Sequence, residues 1–269
     1  MIWISLSLSK MNTDFLNWAS LTVTHNYYIM KPYIFYMCRM FGYVGYSNEE
    51  LDELYSALIE ASRKDKIGEK YGYSSHDDGF GIVVYTEDNL FHFRSTKPIY
   101  KEKLNLPEFN GKIYAIFHAL NAHDKDLLSP IFEHPFMVSN GNQVMYMAHN
   151  GVVDKQQLME NLGIKGVYND TEAALEYLNK NGLNGISDLE DYTKSSLNVI
   201  ILNLDKKSRS GTIYFKNFYH DESKSDYLDM YTAVLPHGKA VVSSTLTLYG
   251  IDRYARVTTK SMSNLEEIH

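Results

Sequence analysis

Short apolar runs, separated by polar and glycine-containing segments, make up most of the chain after residue 37. Such runs are typical of β-strands, and runs that are apolar throughout are typical of strands buried on both faces. The strands predicted in this way cover residues 38–45, 79–85, 90–94, 112–120, 144–149, 197–204, 212–218, 231–235 and 239–243. The polar, glycine-containing residues 68–78 predict a loop before the second strand.

Three segments show helical periodicity instead. Apolar residues recur at helical spacing after a capping box of Ser47 and Glu50, and they predict a helix that ends near Lys64. Two more helices are predicted at 154–162 and 170–179, where a glycine follows the last helical residues. Many strands and few helices predict one α+β domain of mostly antiparallel sheets with helices packed outside.

The composition is that of a soluble globular protein, since 44% of the 269 residues are hydrophobic and 22% are charged. A formal net charge of −7 argues against nucleic-acid binding, which normally requires a basic surface. No stretch approaches the roughly 18 consecutive apolar residues of a membrane-spanning helix. A single cysteine cannot form an internal disulfide, which predicts a reducing, cytoplasmic location.

Residues 1–36 differ from the rest of the chain, since they carry three charged residues among many aromatic ones and lack the pattern of a secretory signal. Three interpretations are open: translation starts at Met37, the segment is a pro-segment that is removed, or it is retained. We favour a start at Met37, because it exposes Cys38 without a dedicated processing protease. The predicted organisation is an extension at 1–37 and one domain at 38–269.

The only cysteine, Cys38, follows a methionine and precedes an apolar run that ends in glycine. At the start of a mature chain it would carry a thiol and a free α-amine, which titrate near ~8.5 and ~8. The amine can take the proton of its own thiol and so activate it as a nucleophile. The alternative is that Cys38 is a small buried residue, as lone cysteines usually are.

Two polar stretches could complete an amide-cleaving site around this nucleophile. Asn150 and Gly151 follow an apolar strand, where they could form a tight turn or an oxyanion hole of side-chain amide and backbone N–H. Asp170 begins a predicted helix, where it could cap the helix or hold the ammonium group of an amino-acid substrate. We interpret His118 and His149 as structural, because no histidine pair has metal-binding spacing.

Five motifs occur in this order along the chain: Cys38-Arg39-Met40-Phe41-Gly42, His76-Asp77-Asp78-Gly79-Phe80-Gly81, His134-Pro135-Phe136, His149-Asn150-Gly151 and Asp170-Thr171-Glu172. Together they resemble the class II glutamine amidotransferases, whose glutaminase domain is an N-terminal nucleophile (Ntn) hydrolase. The chain is most similar to small stand-alone predicted members, and the resemblance covers residues 38 to about 244. It implies a four-layer αββα sandwich with mostly antiparallel sheets.

The resemblance also implies that the side-chain amide of glutamine is hydrolysed to glutamate and ammonia through a thioester, without a metal or an organic cofactor. Cys38 would be the nucleophile and its own α-amine the base. The Asn150 side chain and the Gly151 N–H would form the oxyanion hole, and Asp170 would hold the substrate ammonium group. The ammonia would pass to a separate synthase subunit or be released, because residues 245–269 predict only a polar tail.

One position departs from the pattern of the family. The family usually reads His-x-Arg-x-Ala, with an arginine that pairs with the substrate α-carboxylate, whereas this chain has Leu120 at the arginine position. Leucine cannot form the bidentate pair of an arginine with a carboxylate. Either His123 or Arg39 supplies the cation, or the substrate is another amide that lacks the carboxylate, or the chain is a catalytically impaired binding module.

Overall fold

Twelve strands occur in the computed structural model, which describes residues 37–102, 104–122, 125–250, 254–256 and 265–268. In chain order they are β1 (Arg39–Gly45), β2 (Gly79–Tyr85), β3 (Leu90–Ser95), β4 (Ile113–Leu120), β5 (Phe136–Asn140), β6 (Gln143–Val153), β7 (Thr193–Asp205), β8 (Gly211–Lys216), β9 (Met230–Val234), β10 (Gly238–Ser243), β11 (Tyr254–Arg256) and β12 (Glu266–Ile268). They form two sheets, in the orders β11-β9-β10-β1-β4-β2-β3 and β12-β8-β7-β6-β5. All of the strand pairs in both sheets are antiparallel.

The same part of the chain contains four α-helices: α1 (Asn48–Arg63), α2 (Lys155–Leu162), α3 (Asp170–Asn181) and α4 (Ser225–Leu228). Short 3-10 helices lie at Gly68–Tyr71, Lys125–Leu127, Pro130–Phe132, Leu183–Ile186, Asp188–Glu190, Glu222–Lys224 and Ser244–Leu248. Among the described helices, none is long and apolar enough to cross a membrane.

The predicted capping box at the start of α1 is only half formed. The Ser47 hydroxyl accepts the backbone N–H of Glu50 at 3.2 Å, as a cap should. The Glu50 carboxylate instead accepts the Tyr43 hydroxyl at 2.8 Å and the backbone N–H of His237 at 2.7 Å. Glu50 therefore fastens α1 to the first sheet rather than to its own cap.

β1 lies inside the first sheet, between β10 and β4, and all of its residues are buried. Successive side chains of a strand point to opposite faces. Met40 and Val44 accordingly pack in the core between the sheets, while Phe41 and Tyr43 pack in the core that contains α1. Because both faces of β1 are covered, its residues after Arg39 are apolar in succession rather than alternating.

Three hydrophobic cores separate the layers of the fold. The core between the sheets joins residues such as Met40, Ile116 and Val241 of the first sheet to Ala148 and Ile200 of the second. A second core fills the space between the first sheet and α1, and a third fills the space between the second sheet and helices α2 and α3. The layers are helix, sheet, sheet and helix, which confirms the predicted αββα sandwich.

Three strands were not predicted from the sequence. β5 alternates between buried and exposed residues at the edge of the second sheet. It was not predicted because it is short and ends in polar residues, so it lacks a continuous apolar run. The prediction that 245–269 forms only a polar tail is wrong, because Leu246 is fully buried, β11 pairs with β9 and β12 pairs with β8. Both of these strands have three residues, too few to show a periodic pattern. Residues 1–36 of the predicted extension at 1–37 lie outside the described residues.

Candidate active site

Cys38 directly precedes β1 at one end of the first sheet. Because β1 and β4 are antiparallel, with Arg39 opposite Ala119, the start of β1 lies beside the end of β4. Cys38 consequently forms a small buried cluster with Leu120 and Ala122, which end and follow β4. The Cys38 side chain is 6% exposed, and its Sγ lies 3.9 Å from the backbone oxygen of Asn121.

Asn150 lies against Cys38, although 112 residues separate them in the chain. The backbone nitrogen of Cys38 donates a hydrogen bond to Asn150 Oδ1 at 2.9 Å. Since Oδ1 is the acceptor, the Nδ2 group on the other side of the amide remains as a donor. Asn150 and Gly151 lie inside β6, opposite Asn198 and Leu197 of β7, so the tight turn that the Asn-Gly pair could have formed is absent here.

Gly151 has a conformation and a packing environment that exclude other residues. Its φ angle is +153°, and a Cβ atom at this position would lie 1.8 Å from the backbone oxygen of Ser196. A side chain could be accommodated only if β6 moved away from β7. The close approach of the two strands therefore holds the backbone of Gly151 beside the cavity that Cys38 also borders.

Cys38, Gly151 and Asp170 line one cavity of about 410 Å³. This volume lies within the usual range for small-molecule sites, about 300–1,000 Å³. One part of its wall is apolar and consists of Leu120, Ala122, Leu127, Leu128 and Phe132. Another part is charged and consists of Asp154, Lys155, Asp170 and Lys194. The cavity thus offers both an apolar wall and charges of both signs.

Asp170 is the first residue of α3, and Asn169 rather than Asp170 is the cap of this helix. The Asn169 side chain accepts the N–H of Thr171 at 2.8 Å, and Glu172 completes the capping box. Asp170 Oδ2 accepts the backbone N–H of Val153 at 3.1 Å, which fixes the carboxylate at the end of β6. Its carboxylate is therefore held at the cavity wall by the strand that carries Asn150 and Gly151.

The hydroxyl of Thr171 joins two buried histidines beside this cavity. His149 Nε2 lies 3.0 Å from the backbone oxygen of Ser196, so it carries the proton that it donates there. Neutral His149 then accepts at Nδ1 from the Thr171 hydroxyl, 3.1 Å away. The same hydroxyl accepts from His134 Nε2 at 3.0 Å. One chain of hydrogen bonds thus links β6, β7, α3 and the segment before β5.

These histidines are buried and neutral, and the interpretation of His118 and His149 as structural stays a prediction. Burial lowers the pKa of His149, and it lowers the pKa of His134 well below its usual value. Burial also lowers the pKa of His118 to about 3, and its ring lies against that of His134, tilted by 31°, with 4.1 Å between ring centres. His118 Nε2 donates to the backbone oxygen of His149 at 3.3 Å. The backbone of β6 next to Asn150 is therefore held by two neutral imidazoles: His118 donates to the backbone oxygen of His149, and His149 donates to that of Ser196 in β7.

Arg39, which was predicted as a possible partner of a substrate carboxylate, lies elsewhere. Its side chain is fully buried, its Nε donates to Asp65 Oδ2 at 2.7 Å, and its guanidinium stacks on Tyr227. His76 Nε2 lies 2.8 Å from the same Asp65 oxygen. Arg39 Nη1 donates to the backbone oxygen of Cys38 at 3.1 Å, so it supports the backbone of Cys38 instead of lining the cavity. The other candidate, His123, lies outside the described residues.

Burial strongly disfavours ionisation near Cys38. It raises the pKa of the Cys38 thiol to about 12, and the negative charge of Asp78 adds a smaller contribution in the same direction. Burial and the charge of Asp78 raise the pKa of Glu133 to about 9, so this carboxyl group is protonated at neutral pH. The thiol is therefore not a thiolate at pH 7 unless a base takes its proton.

Sequence reasoning missed Lys194, Lys155 and Asp65. Lys194 lies at the start of a strand and Lys155 at the start of a helix, where charged residues are common and mark no function by themselves. Asp65 follows the end of α1 and meets Arg39 only through the packing of the first sheet. No local pattern marks any of the three, because their partners are distant in the sequence.

The αββα sandwich, with Cys38 at the start of a central strand, defines the class of the fold as that of the Ntn hydrolases. No protein-family model matches the chain, and no curated protein matches it by sequence. Among solved structures, the chain is similar to glutamine phosphoribosylpyrophosphate amidotransferase from B. subtilis, complexed with ADP and GMP, with 17% identity and a TM-score of 0.56. That match covers 86% of this chain and 48% of the amidotransferase chain.

A second similar structure is the allosteric regulatory enzyme of purine biosynthesis, with 15% identity, a TM-score of 0.57 and coverage of 85% of this chain and 48% of that chain. The chain thus spans about half the length of these two proteins. A predicted glutamine amidotransferase from Pseudomonas aeruginosa is 11% identical over 86% of this chain and 89% of its own, but its TM-score of 0.36 is too low to support an argument. At these identities the first two matches show the fold, and they confirm the Ntn-type sandwich that the motifs predict.

Proposed function

We propose that this chain hydrolyses a carboxamide through the thiol of Cys38, with the side-chain amide of glutamine as substrate and glutamate and ammonia as products. One observation carries the proposal: Cys38, Gly151 and Asp170 line a single cavity, and Asn150 is hydrogen-bonded to Cys38 at 2.9 Å. A nucleophile, oxyanion donors and a carboxylate that can hold an ammonium group are thus available to one small substrate.

The first half of the reaction would form a thioester. The Cys38 sulfur attacks the amide carbon while the α-amine of Cys38 takes the thiol proton. The oxygen of the tetrahedral intermediate accepts hydrogen bonds from the Gly151 N–H and the Asn150 Nδ2 group. The carbon–nitrogen bond then breaks, the proton returns from the amine to the leaving nitrogen, and ammonia departs.

In the second half, water would cleave the thioester. The α-amine takes a proton from water as the water oxygen attacks the thioester carbon, and the same two donors stabilise the second oxyanion. The carbon–sulfur bond breaks, the sulfur regains its proton and glutamate is released. Asp170 would hold the substrate ammonium group through both steps. The ammonia would reach a separate synthase subunit or the solvent.

The mechanism requires a free amine on Cys38. A peptide nitrogen is not basic, and at a thiol pKa of about 12 only about one thiol in 10⁵ is ionised at pH 7. The active form would therefore begin at Cys38, without residues 1–37. In that form the amine nitrogen would occupy the position from which the backbone nitrogen now donates to Asn150.

The proposal is tested by ammonia release from L-glutamine and by labelling with a glutamine-like electrophile. We expect the active protein to begin at Cys38 in intact-mass measurements and to be labelled at that residue. Cys38→Ala should abolish ammonia release, Cys38→Ser should nearly abolish it, and Asn150→Ala should lower kcat by about 10²- to 10³-fold. Circular dichroism of each variant controls for folding. Full activity in Cys38→Ala, or in a chain that still carries residues 1–37, would refute the mechanism.

A second candidate is the hydrolysis of a carboxamide that lacks the α-carboxylate of glutamine. The observation that favours it is Leu120, which lines the cavity at the position where the family pattern has an arginine. 4-Aminobutanamide retains the amine and the amide of glutamine without the carboxylate. Turnover of this compound but not of L-glutamine would select the second candidate. No turnover of any amide, with an unreactive thiol, would indicate a binding module.

A further inference from the structure

The charged part of the cavity wall is assembled around Val153, the last residue of β6. The Val153 N–H donates to Asp170 Oδ2, and Val153 lies opposite Thr193, the residue before Lys194. Asp154, the residue after Val153, pairs with Lys194 through its carboxylate. Asp170 and Lys194 are therefore attached to the same end of β6 and border the same cavity.

Lys194 can bind the anionic group of a ligand while it keeps its ion pair with Asp154. Its Nζ lies 2.9 Å from Asp154 Oδ2, and the lysine side chain is 48% exposed. A lysine ammonium group has three N–H donors, of which Asp154 occupies one. Asp154 in turn is held in place at the start of α2, where it accepts the backbone N–H of Gln157 at 3.1 Å. The ammonium group is thus positioned by a fixed carboxylate but keeps donors for a ligand.

The second lysine of this wall, Lys155, lines the cavity and also borders a groove with Met159 and Gly163. Lys194 lines the cavity and also borders a second one, of about 330 Å³, together with Met37, the residue before Cys38. Of the two lysines, Lys194 is the one whose position is fixed by an ion pair with an aspartate at the end of β6.

We infer that Lys194 binds the α-carboxylate of the substrate, so that Asp170 and Lys194 together recognise the zwitterionic head group of a free amino-acid amide. The inference rests on the proposed function and deepens it by assigning the cation that Leu120 cannot supply. An α-carboxylate and an α-ammonium group are attached to one carbon, and the site presents the two complementary charges from one end of β6. Leu120 and Ala122, which lie against Cys38, then cover the methylene groups of the substrate side chain.

Steady-state kinetics with two substrates test this assignment. Lys194→Met keeps the length of the side chain and removes its charge, and we expect it to raise KM for L-glutamine by about 10- to 100-fold with kcat within about twofold. KM for 4-aminobutanamide, which has no carboxylate, should not change. Lys194→Arg should restore most of the affinity for L-glutamine. Lys70→Met is the matched control, since Lys70 also pairs with an aspartate, Asp226, but lies outside the cavity, and it should leave both substrates unaffected.

A compensating substitution makes the test sharper. If the carboxylate lies between Leu120 and Lys194, Leu120→Arg in the Lys194→Met background should lower KM for L-glutamine again. An unchanged KM for L-glutamine in Lys194→Met would overturn the inference. A loss of affinity in His123→Ala with none in Lys194→Met would also overturn it and would assign the carboxylate to His123.

Binding measurements separate this inference from the proposed reaction. L-Glutamine titrated into Cys38→Ala by calorimetry reports recognition without turnover. If Lys194→Met in the Cys38→Ala background weakens the binding of L-glutamine by about 10- to 100-fold, this supports the carboxylate site even if no amide is hydrolysed. Turnover of amides by Cys38 with binding that is independent of Lys194 would keep the proposed function and reject the role of Lys194.

Discussion

Gly151 illustrates how one residue can be required for both the fold and the site. Its backbone N–H is a proposed oxyanion donor, and its missing side chain allows β6 to approach Ser196 of β7. An oxyanion donor must lie within about 0.5 Å of its productive position to be effective. The same contact that forbids a Cβ atom therefore also holds the donor in place.

The effect of a side chain at this position can be measured directly. Gly151→Ala would place a carbon 1.8 Å from the Ser196 backbone oxygen, and we expect it to lower the free energy of unfolding by about 3 kcal/mol or more. Gly163→Ala is the matched control, since Gly163 also has a positive φ angle, +68°, but open space around it. We expect Gly163→Ala to lower the free energy of unfolding by only about 1–2 kcal/mol. Equal losses in urea unfolding would contradict the packing explanation.

Arg39 shows how a sequence motif can be recognised while the role of a residue in it is misjudged. An arginine beside a nucleophile is a reasonable candidate for binding a carboxylate. Burial by itself would raise the pKa of Asp65, but Arg39 and His76 more than offset this and hold that pKa well below its usual value. The guanidinium is thus paired with a protein carboxylate through Nε and with the Cys38 backbone oxygen through Nη1, and only the packing of the first sheet reveals this.

At the scale of elements, the site is the meeting point of β6, β7 and α3, and Thr171 is the residue that joins them. Its hydroxyl donates to His149 and accepts from His134, while its backbone N–H is held by the cap of α3. The proposed oxyanion donors lie on β6 and the proposed ammonium-binding carboxylate lies on α3. The distance between these two parts of the site therefore depends on this hydroxyl together with the contact of Asp170 with the Val153 N–H.

Removing the hydroxyl should affect stability and catalysis together. Thr171→Val keeps the shape of the side chain but leaves two buried imidazole nitrogens unpaired, and we expect it to cost about 1–3 kcal/mol in urea unfolding. Because small displacements of catalytic groups are costly, kcat for the amide should fall by about tenfold or more. Thr171→Ser retains the hydroxyl and should recover most of both quantities. A fall in stability with unchanged kcat would restrict Thr171 to a structural role.

At the scale of the whole molecule, the buried histidines make the fold sensitive to acid. Burial lowers the pKa values of His76, His118, His134 and His149, so these groups are neutral in the folded state and become charged below about pH 6.5 when unfolded. The unfolded chain then binds more protons than the folded one. The contribution of these four histidines to the free energy of unfolding is therefore fully present above about pH 6.5 and is lost as the pH falls below that value.

Glu133 acts in the opposite direction over the same range. Burial raises its pKa to about 9, so between about pH 4.5 and pH 9 the folded state keeps a proton that the unfolded state has lost. Acidification from pH 7 to pH 5.5 should cost roughly 1 kcal/mol through His118, lower the stability further through His76, His134 and His149, and return about 2 kcal/mol through Glu133. We expect a net loss of stability, measured by urea unfolding at the two pH values. A free energy of unfolding that rises on acidification would show that the histidines are not buried as described.

Much of the fold could be predicted from local patterns. The nine predicted strands and three predicted helices all occur, because each was long enough to repeat its apolar period and was bounded by caps or glycines. β5, β11 and β12 could not be predicted, since they are short or polar edge strands. Such strands form only because a long partner supplies the hydrogen bonds along one edge.

By itself the sequence determined the strands and helices of an α+β domain, the order of the motifs and the candidate set of Cys38, Asn150, Gly151 and Asp170, because these are properties of neighbouring residues and their spacing. The αββα sandwich was implied by the family resemblance of those motifs. Only the tertiary structure decided which of the candidate residues meet and what surrounds them. It brought Asn150 to Cys38 across 112 residues, placed Arg39 against the Cys38 backbone and Lys194 at the cavity wall. The reason is physical: sheet pairing and core packing set distances between residues far apart in the chain, and local patterns contain no information on those distances.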